Sequence, residues 1–484
     1  MFEVYPGYRI CHNGFMSIPV VNTTQMREWE NATWAAGQTE AAVIDQVGRR
    51  VAGRAAELTR AGDTILFLAG KGHNGDDVRA AAKHLAGRRA ELLEMSADTG
   101  LPALEAKLAG KPALIVDGLF GIGLDRPLSE PWQKIIAAVN ATGIPVLSVD
   151  LPSGLHADTG GHFGAVIHAT VTLTVGAPKT GLLAPAAMEA VGRLEVADDV
   201  GLIPCPFKSE LNVILPGDFV GFPPVRKIAG HKGTHGQLTI LAGSLGYHGA
   251  AVLATRGAQR ARPGLISLHT PESVYYPIAA QLQSAMVQVW SPGFNPPDDI
   301  DGLLAGPGLA APNLPAEVRM TIRRSWRVGQ HSMVVDASGL DMLAPEPFPK
   351  NVIRVMTPHP GEAARLLRIK PEDVQANRVG MLREISKRFA GCWVVLKGFH
   401  TLIGRAEGDI FVNLSGNPWL GQGGTGDVLA GYMAGLLTQP DLKANPAQAI
   451  CHAVWEHGAA ADRLHSRCSN WTAEELADEI GNGR

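Results

Sequence analysis

The residues from Gly421 to Gly431 read G-Q-G-G-T-G-D-V-L-A-G, a glycine-rich turn that opens into an apolar helical pattern. Glycines let several backbone N–H groups point the same way, and the positive end of the helix adds to them. Such a turn is suited to hold a phosphate or the charge of a phosphoryl group in transfer. Asp427 stands at the junction, where a carboxylate can take a proton from a substrate hydroxyl. The bland alternative is an aspartate capping a helix after a loop. Further loops that could do chemistry are Lys232-Gly233-Thr234-His235-Gly236, Ala305-Gly306-Pro307-Gly308-Leu309, Thr357-Pro358-His359-Pro360-Gly361-Glu362 and Lys397-Gly398-Phe399-His400-Thr401. A second set lies near the start of the chain: Gly70-Lys71-Gly72-His73-Asn74-Gly75, Asp117-Gly118-Leu119-Phe120-Gly121 and Asp150-Leu151-Pro152-Ser153-Gly154.

These loops need a scaffold, and the sequence predicts one for each set. In the first half, apolar stretches at 64–69, 113–116 and 145–149 run into the loops at 70, 117 and 150, with helix-like segments between them. Short continuous apolar strands alternating with helices imply a parallel α/β sheet with helices on both faces. Ligands of such sheets bind beyond the carboxyl ends of the strands, so the three loops should converge. Prolines and glycines between Pro204 and Gly233 break the pattern, and it then restarts at 237–241, 302–304, 333–335, 352–355 and 393–396. The chain therefore divides into domains at 1–210 and 211–484, each a three-layer α/β fold. A helix should run from Gly426 to Leu437 and another from Ala447 to Arg463, in which His452, His457 and Asp462 read as packing residues rather than ligands.

Of the 484 residues, 45% are hydrophobic and 18% charged, a globular composition too long for one ordinary core. A net charge of −3 leaves no basic footprint for nucleic acid. No apolar run approaches the roughly 20 residues that span a bilayer, and the N-terminus lacks the pattern of a signal peptide. Cys11, Cys205, Cys392, Cys451 and Cys468 show no metal spacing and read as reduced thiols of a cytoplasmic protein.

The order K-G-T-H-G, A-G-P-G-L, D-A-S-G-L, T-P-H-P-G-E, L-K-G and G-G-T-G-D-V-L-A-G resembles the ADP- or ATP-dependent NAD(P)H-hydrate dehydratases, which are ribokinase-like. The resemblance implies dehydration of (6S)-NAD(P)HX at the cost of a nucleotide, with Mg²⁺ to neutralise its phosphates. It assigns Asp427 as the base, and Gly424, Thr425 and Gly426 as the cradle. Gly308 and His359 would contact the hydrated nicotinamide nucleotide. Lys397, Gly398, Phe399, His400 and Thr401 would surround the ADP or ATP, while Lys232 and His235 would position loops. The chain departs from the family at Asp336-Ala337-Ser338, where D-A-D is usual, and at Trp419-Leu420-Gly421-Gln422.

The first half resembles the Rossmann-like NAD(P)H-hydrate epimerase domain, also called the YjeF N-terminal domain, through G-K-G-H-N-G-D-D, V-D-G-L-F-G-I-G-L-D-R-P-L, V-D-L-P-S-G and G-A-P-K. That likeness implies interconversion of the two C6 epimers, with Asp150 acting as acid and then base. Asn74, Asp117 and Ser153 would bind K⁺. Substrate contacts would come from His73, Asn74, Asp77, Asp150 and the loop Gly121, Ile122, Gly123, Leu124, Asp125, Arg126 and Pro127. Asp76 and Val78 replace glycines of the family's N-N-G-G-D-G, which predicts backbone strain if φ is positive there, and Asp76 sets a second carboxylate beside Asp77. The segment Val43-Ile44-Asp45-Gln46-Val47-Gly48 departs from the usual L-M-E-x-A-G as well. Together the halves imply a repair enzyme for NADHX and NADPHX, a homo-oligomer of four or more copies without nucleic acid or membrane partners. The alternatives are a ribokinase-like small-molecule kinase, or a dehydratase whose first half only binds or scaffolds.

Overall fold

A computed structural model describes residues 9–10, 16–98, 100–291, 293–297, 299–312 and 314–483; Cys11 lies outside them. Two compact units are present, one running from Ser17 to Val213 and the other from Ile214 to the C-terminal end.

The first unit is built on a six-stranded sheet in the order Arg89–Glu94, Thr64–Ala69, Leu114–Gly118, Val146–Val149, Val171–Val175, Arg193–Ala197. Every neighbouring pair is parallel. Thr64–Ala69 is the first of these strands in the chain, and its two successors lie on opposite sides of it. The switch point therefore falls between Thr64–Ala69 and Leu114–Gly118, which is where loops of such sheets open a crevice. Buried Leu66, Leu68, Leu104, Ile115, Ile135, Ile136 and Val146 form the core on one side.

The second unit repeats the principle with more strands. Seven run parallel in the order Trp393–Leu396, Arg354–Met356, Ser332–Val335, Gly302–Ala305, Gln237–Leu241, Leu265–Thr270, Met286–Val289. Thr401–Gly404 and Ile410–Asn413 continue the sheet as antiparallel strands. Here the switch point lies between Gln237–Leu241 and Gly302–Ala305. The helix Thr425–Thr438 packs against the helix His248–Ala261. Their approach is close enough that a Cβ at Gly431 would run into the Ala254 carbonyl, so only glycine fits there. The last long helix spans Pro446–Arg467. No helix among the described residues is long and apolar enough to cross a membrane.

Candidate functional site

In the second unit, the strand ends and one helix start bring charges together. Gly424 caps the Thr425–Thr438 helix with φ 96°, a left-handed conformation that glycine takes without strain. The first N–H groups of the helix have no partner within it. Asp427 sits in the first turn, and Gly426 before it lies against the Lys397 ammonium, which a Cβ there would meet at 3.4 Å. Lys397 Nζ reaches Asp336 Oδ1 at 2.7 Å and Glu362 Oε2 at 3.9 Å. Thr357 Oγ1 donates to the same Asp336 oxygen at 2.7 Å. Asp336, Thr357 and Lys397 each follow a parallel strand directly, so the sheet itself sets their spacing.

The electrostatics follow from that grouping. Burial, then the Asp336 charge, then Glu362, lift the Asp427 carboxyl to about 7, with Lys397 opposing. Burial works against the Lys397 charge, but Asp336, Glu362 and Asp427 outweigh it and hold its pKa above the ordinary value. A carboxyl poised near neutrality beside a fixed cation is what a general base requires.

The remaining residues expected at this site are placed as follows. His359 caps the Pro360–Leu367 helix, accepting from Gly361 N at 3.0 Å, and half of its side chain is exposed. Its own N–H donates to Glu362 at 2.8 Å, so the T-P-H-P-G-E turn carries a reciprocal cap. Gly308 lies at the switch point, where Ser244 Oγ donates to its carbonyl at 2.6 Å. Gly398 sits over the buried Arg378 guanidinium, and Thr401 Oγ1 donates to Gly398 O at 2.9 Å. Phe399 is exposed and stacks on His400 at 3.9 Å between centroids. Lys232 and His235 lie in one exposed turn before the first strand. His457 Nε2 bonds Thr425 O at 2.9 Å, Asp462 accepts from Gly416 N and Asn417, and His452 packs among aromatic rings.

The first unit encloses a cavity of about 840 Å³ at its own switch point. Its walls include His73, Asn74, Asp77, Asp150 and the whole run from Gly121 to Pro127. Asp150 has φ 63°, a strained value for a residue with a side chain. Its Oδ1 accepts from Val175 N at 3.1 Å and Thr174 Oγ1 at 3.2 Å, and it is ion-paired with Lys179. Lys179 is 1% exposed.

Asp117 and Ser153 are fully buried, and Ser153 Oγ accepts from the N–H of Phe120, a wall of the cavity, at 2.9 Å. Ser153 Oγ donates to Asp117 Oδ1 at 2.6 Å, while Ser153 N and Ser148 Oγ donate to Oδ2. Burial raises the Asp117 pKa against these hydrogen bonds. Asn74 Nδ2 donates to Phe120 O at 2.8 Å, while Asn74 Oδ1 is buried with no partner among the described residues.

The strain expected at Asp76 and Val78 is absent. Both lie inside the His73–His84 helix and neither has positive φ. The second carboxylate is also turned aside, since Asp76 pairs with Arg79 at 2.9 Å. Gly75 is retained, and a Cβ there would strike the Gly70 carbonyl. Asp45, in the other divergent segment, bonds His84 Nε2 at 2.6 Å.

Sequence reasoning passed over Lys179, Asp336 and Glu362 as functional groups. Lys179, Asp336 and Glu362 stood inside quoted motifs, but nothing in one sequence told which carboxylate each would face. Glu30, on the helix Thr23–Ala35, lines the first cavity and has no sequence signal at all.

A family model described as NAD(P)H-hydrate dehydratase matches residues 238–482. A second, described as YjeF-related protein N-terminus, matches residues 93–181. The bifunctional NAD(P)H-hydrate repair enzyme Nnr of Gloeobacter violaceus is 34% identical, over 94% of this chain and 95% of its own. The chain belongs to the bifunctional NAD(P)H-hydrate repair enzyme family. The Escherichia coli member is 32% identical over 83% of this chain and 81% of its own. Among solved structures, an ADP/ATP-dependent NAD(P)H-hydrate dehydratase from Bacillus subtilis, co-crystallised with ATP and Mg²⁺, is 29% identical. It covers 57% of this chain and 96% of its own, with a TM-score of 0.48. Within the family pattern, the match of the first unit begins at residue 93, downstream of the divergent Gly70–Asp77 loop.

Proposed function

We infer that the chain repairs hydrated NADH and NADPH. The second unit removes water from the 6S epimer at the expense of ADP or ATP, and the first unit interconverts the 6R and 6S epimers. The observation that carries this reading is Asp427 in the first turn of the glycine-capped helix, within the charge field of Lys397, Asp336 and Glu362. Hydroxide is a poor leaving group and phosphate a good one. Asp427 takes the proton of the C6 hydroxyl, whose oxygen attacks the terminal phosphorus. The N–H groups of Gly424, Thr425 and Gly426 hold the charge of the transferred group. Phosphate then leaves C6 as the ring nitrogen supplies its lone pair, and loss of a ring proton restores the double bond. Lys397 to Thr401 line the nucleotide's place, and Gly308 and His359 the nicotinamide's.

Among the described residues, no three His, Cys, Asp or Glu side chains are grouped as a metal cage. Mg²⁺ fits this site as the companion of the nucleotide's phosphates, whose charge it neutralises. Dehydration should follow the ionised fraction of Asp427. We expect kcat/KM to be level above pH 7 and to fall with unit slope below the Asp427 pKa of about 7, read from a pH–rate profile. A profile flat to pH 5 would remove Asp427 as the base.

In the first unit, the oxygens of Asn74, Asp117 and Ser153 suit K⁺. The unpartnered Asn74 Oδ1 and the buried Asp117 carboxyl are both groups that a hard cation would satisfy. K⁺ should raise the melting temperature of this unit, and Asn74→Ala should erase that response, as read by calorimetry in K⁺ against tetramethylammonium salts. An equal response in the variant would exclude Asn74 as a ligand. The same reading carries a cytoplasmic homo-oligomer of four or more copies.

The whole assignment is tested with a mixture of both NADHX epimers, Mg²⁺, K⁺ and ADP or ATP, following NADH absorbance to its plateau. Fast and complete recovery supports both activities. Fast recovery of one epimer's share alone means a binding or scaffold first unit. No recovery with either nucleotide sinks the repair reading in favour of a small-molecule kinase.

A further inference from the structure

Inversion at C6 needs chemistry on both faces of one ring, since water leaves from one face and returns to the other. Asp150 is poorly placed to serve both. Val175 N, Thr174 Oγ1 and Lys179 hold its Oδ1, and its backbone is fixed in a left-handed conformation. We propose that Asp77 is the second catalytic carboxyl of the epimerase, working on the ring face opposite Asp150. This rests on the epimerase reading of the first unit and extends it.

Asp77 lies in the second turn of the His73–His84 helix and lines the same cavity as Asp150. It is 9% exposed, and its carboxyl makes no hydrogen bond or ion pair with the described residues. A buried carboxyl turned to a cavity without a partner is stable only if neutral or if a ligand satisfies it. Burial, followed by the charges of Asp150, Asp76 and Glu30, holds its pKa well above the usual carboxylate range, against the pull of Lys179. Other ionisable walls of the cavity are Arg27 and Glu30 on the first helix, Lys71 and His73 beside Asp77, and Asp125 and Arg126 in the covering loop. The two carboxyls thus differ in kind: Asp150 is ion-paired with the buried lysine, whereas Asp77 has no ion pair among the described residues and the like charges of Asp150, Asp76 and Glu30 outweigh the pull of Lys179. Environments that separate two carboxyls in this way mark an acid and a base.

The step balances without a co-reactant. Asp77 gives its proton to the C6 hydroxyl, the C6–O bond breaks and water leaves, while the ring nitrogen lone pair closes a C6=N bond. Water arriving from the other face forms the new C6–O bond, the pair returns to nitrogen, and Asp150 takes the released proton. Solvent exchange resets the two carboxyls, and the reverse reaction exchanges their roles.

The test uses the full chain with Asp77→Asn, Asp150→Asn and, as a neighbouring control, Glu30→Gln. Pure 6R-NADHX is the substrate, and the epimer ratio is followed by chromatography across pH against buffer alone. Asparagine keeps the shape of the neutral carboxyl, so the nucleotide-dependent dehydration of the 6S epimer should be untouched. Epimerisation by Asp77→Asn should fall about 10²–10⁴-fold with little change in KM, and the alkaline limb of the profile should disappear. Glu30→Gln should keep that limb. The proposal is overturned if Asp77→Asn retains the wild-type rate and both limbs, or if the alkaline limb is lost with Glu30→Gln instead. A wild-type chain that does not exceed buffer would overturn the epimerase reading itself, a result separate from either variant outcome.

Discussion

Replacing Asp427 with asparagine lowers nucleotide-dependent dehydration by about 10²–10⁴-fold, the usual worth of a positioned general base. In transition-state terms that is roughly 3–5 kcal/mol. The amide keeps the size of the carboxyl and the cradle in front of it, so substrate and nucleotide KM should change little. Epimerisation, carried by a separate cavity, should proceed at the wild-type rate. Stability moves the other way. In the folded chain the Asp427 carboxyl binds its proton more tightly than an exposed aspartate, with a pKa near 7 against an ordinary 3.8. Ionising it therefore costs folding free energy progressively as pH rises through that window, and fully above it. Asparagine removes this cost, so the variant should melt at or above the wild-type temperature at pH 8 and show no gain at pH 4. Parallel loss of both activities, or of the fold, would mean that Asp427 is structural.

Arg354→Met gives the largest expected change in stability. Arg354 is 1% exposed, and the described residues give it no carboxylate partner. Its Nε donates to Trp326 O at 2.9 Å, Nη1 to His331 O at 2.6 Å, and Nη2 to Ser325 O at 3.0 Å and Gly329 O at 2.6 Å. The guanidinium thereby closes the C-terminal end of the Ala316–Val328 helix, whose last carbonyls have no partner inside the helix. Burial lowers its pKa only to about 10, so it stays charged at neutral pH. Methionine fills much of the same space but leaves buried acceptors unpaired, at a cost on the order of 3–5 kcal/mol. Urea unfolding of the full chain should show the transition of the second unit shifted, with that of the first unit unmoved. A shift below about 1 kcal/mol would mean that water reaches those carbonyls in the variant.

Arg354 also marks where reading the sequence reached its limit. The apolar run Val352-Ile353-Arg354-Val355 reads as a strand, and Arg354–Met356 is one. Nothing local says that the arginine in it points into the interior to cap a helix that ended 26 residues earlier. The divergent Gly70–Asp77 loop shows the opposite error. Asp76 and Val78 in place of glycines predict strain only if φ is positive there. The helix starts at His73, which gives both residues ordinary helical backbone, and Arg79 takes up the charge of Asp76.

The sequence by itself determined the pieces whose causes are local. Alternating apolar runs and glycine turns specified parallel strands with loops at their carboxyl ends, and G-G-T-G-D specified a helix start with a carboxylate in its first turn. Both follow from backbone freedom and hydrogen bonding within a few residues. Only the tertiary structure decided how those carboxylates are charged. Asp427 owes its state to burial and to Asp336, Lys397 and Glu362, which arrive from two different strand ends and one helix. Asp150 is held by Lys179, 29 residues further along the chain. Asp77 gathers Glu30 and Asp150 around it across the whole first unit. Ionisation depends on burial and on charges brought near in space, and neither is a property of neighbouring residues in the chain.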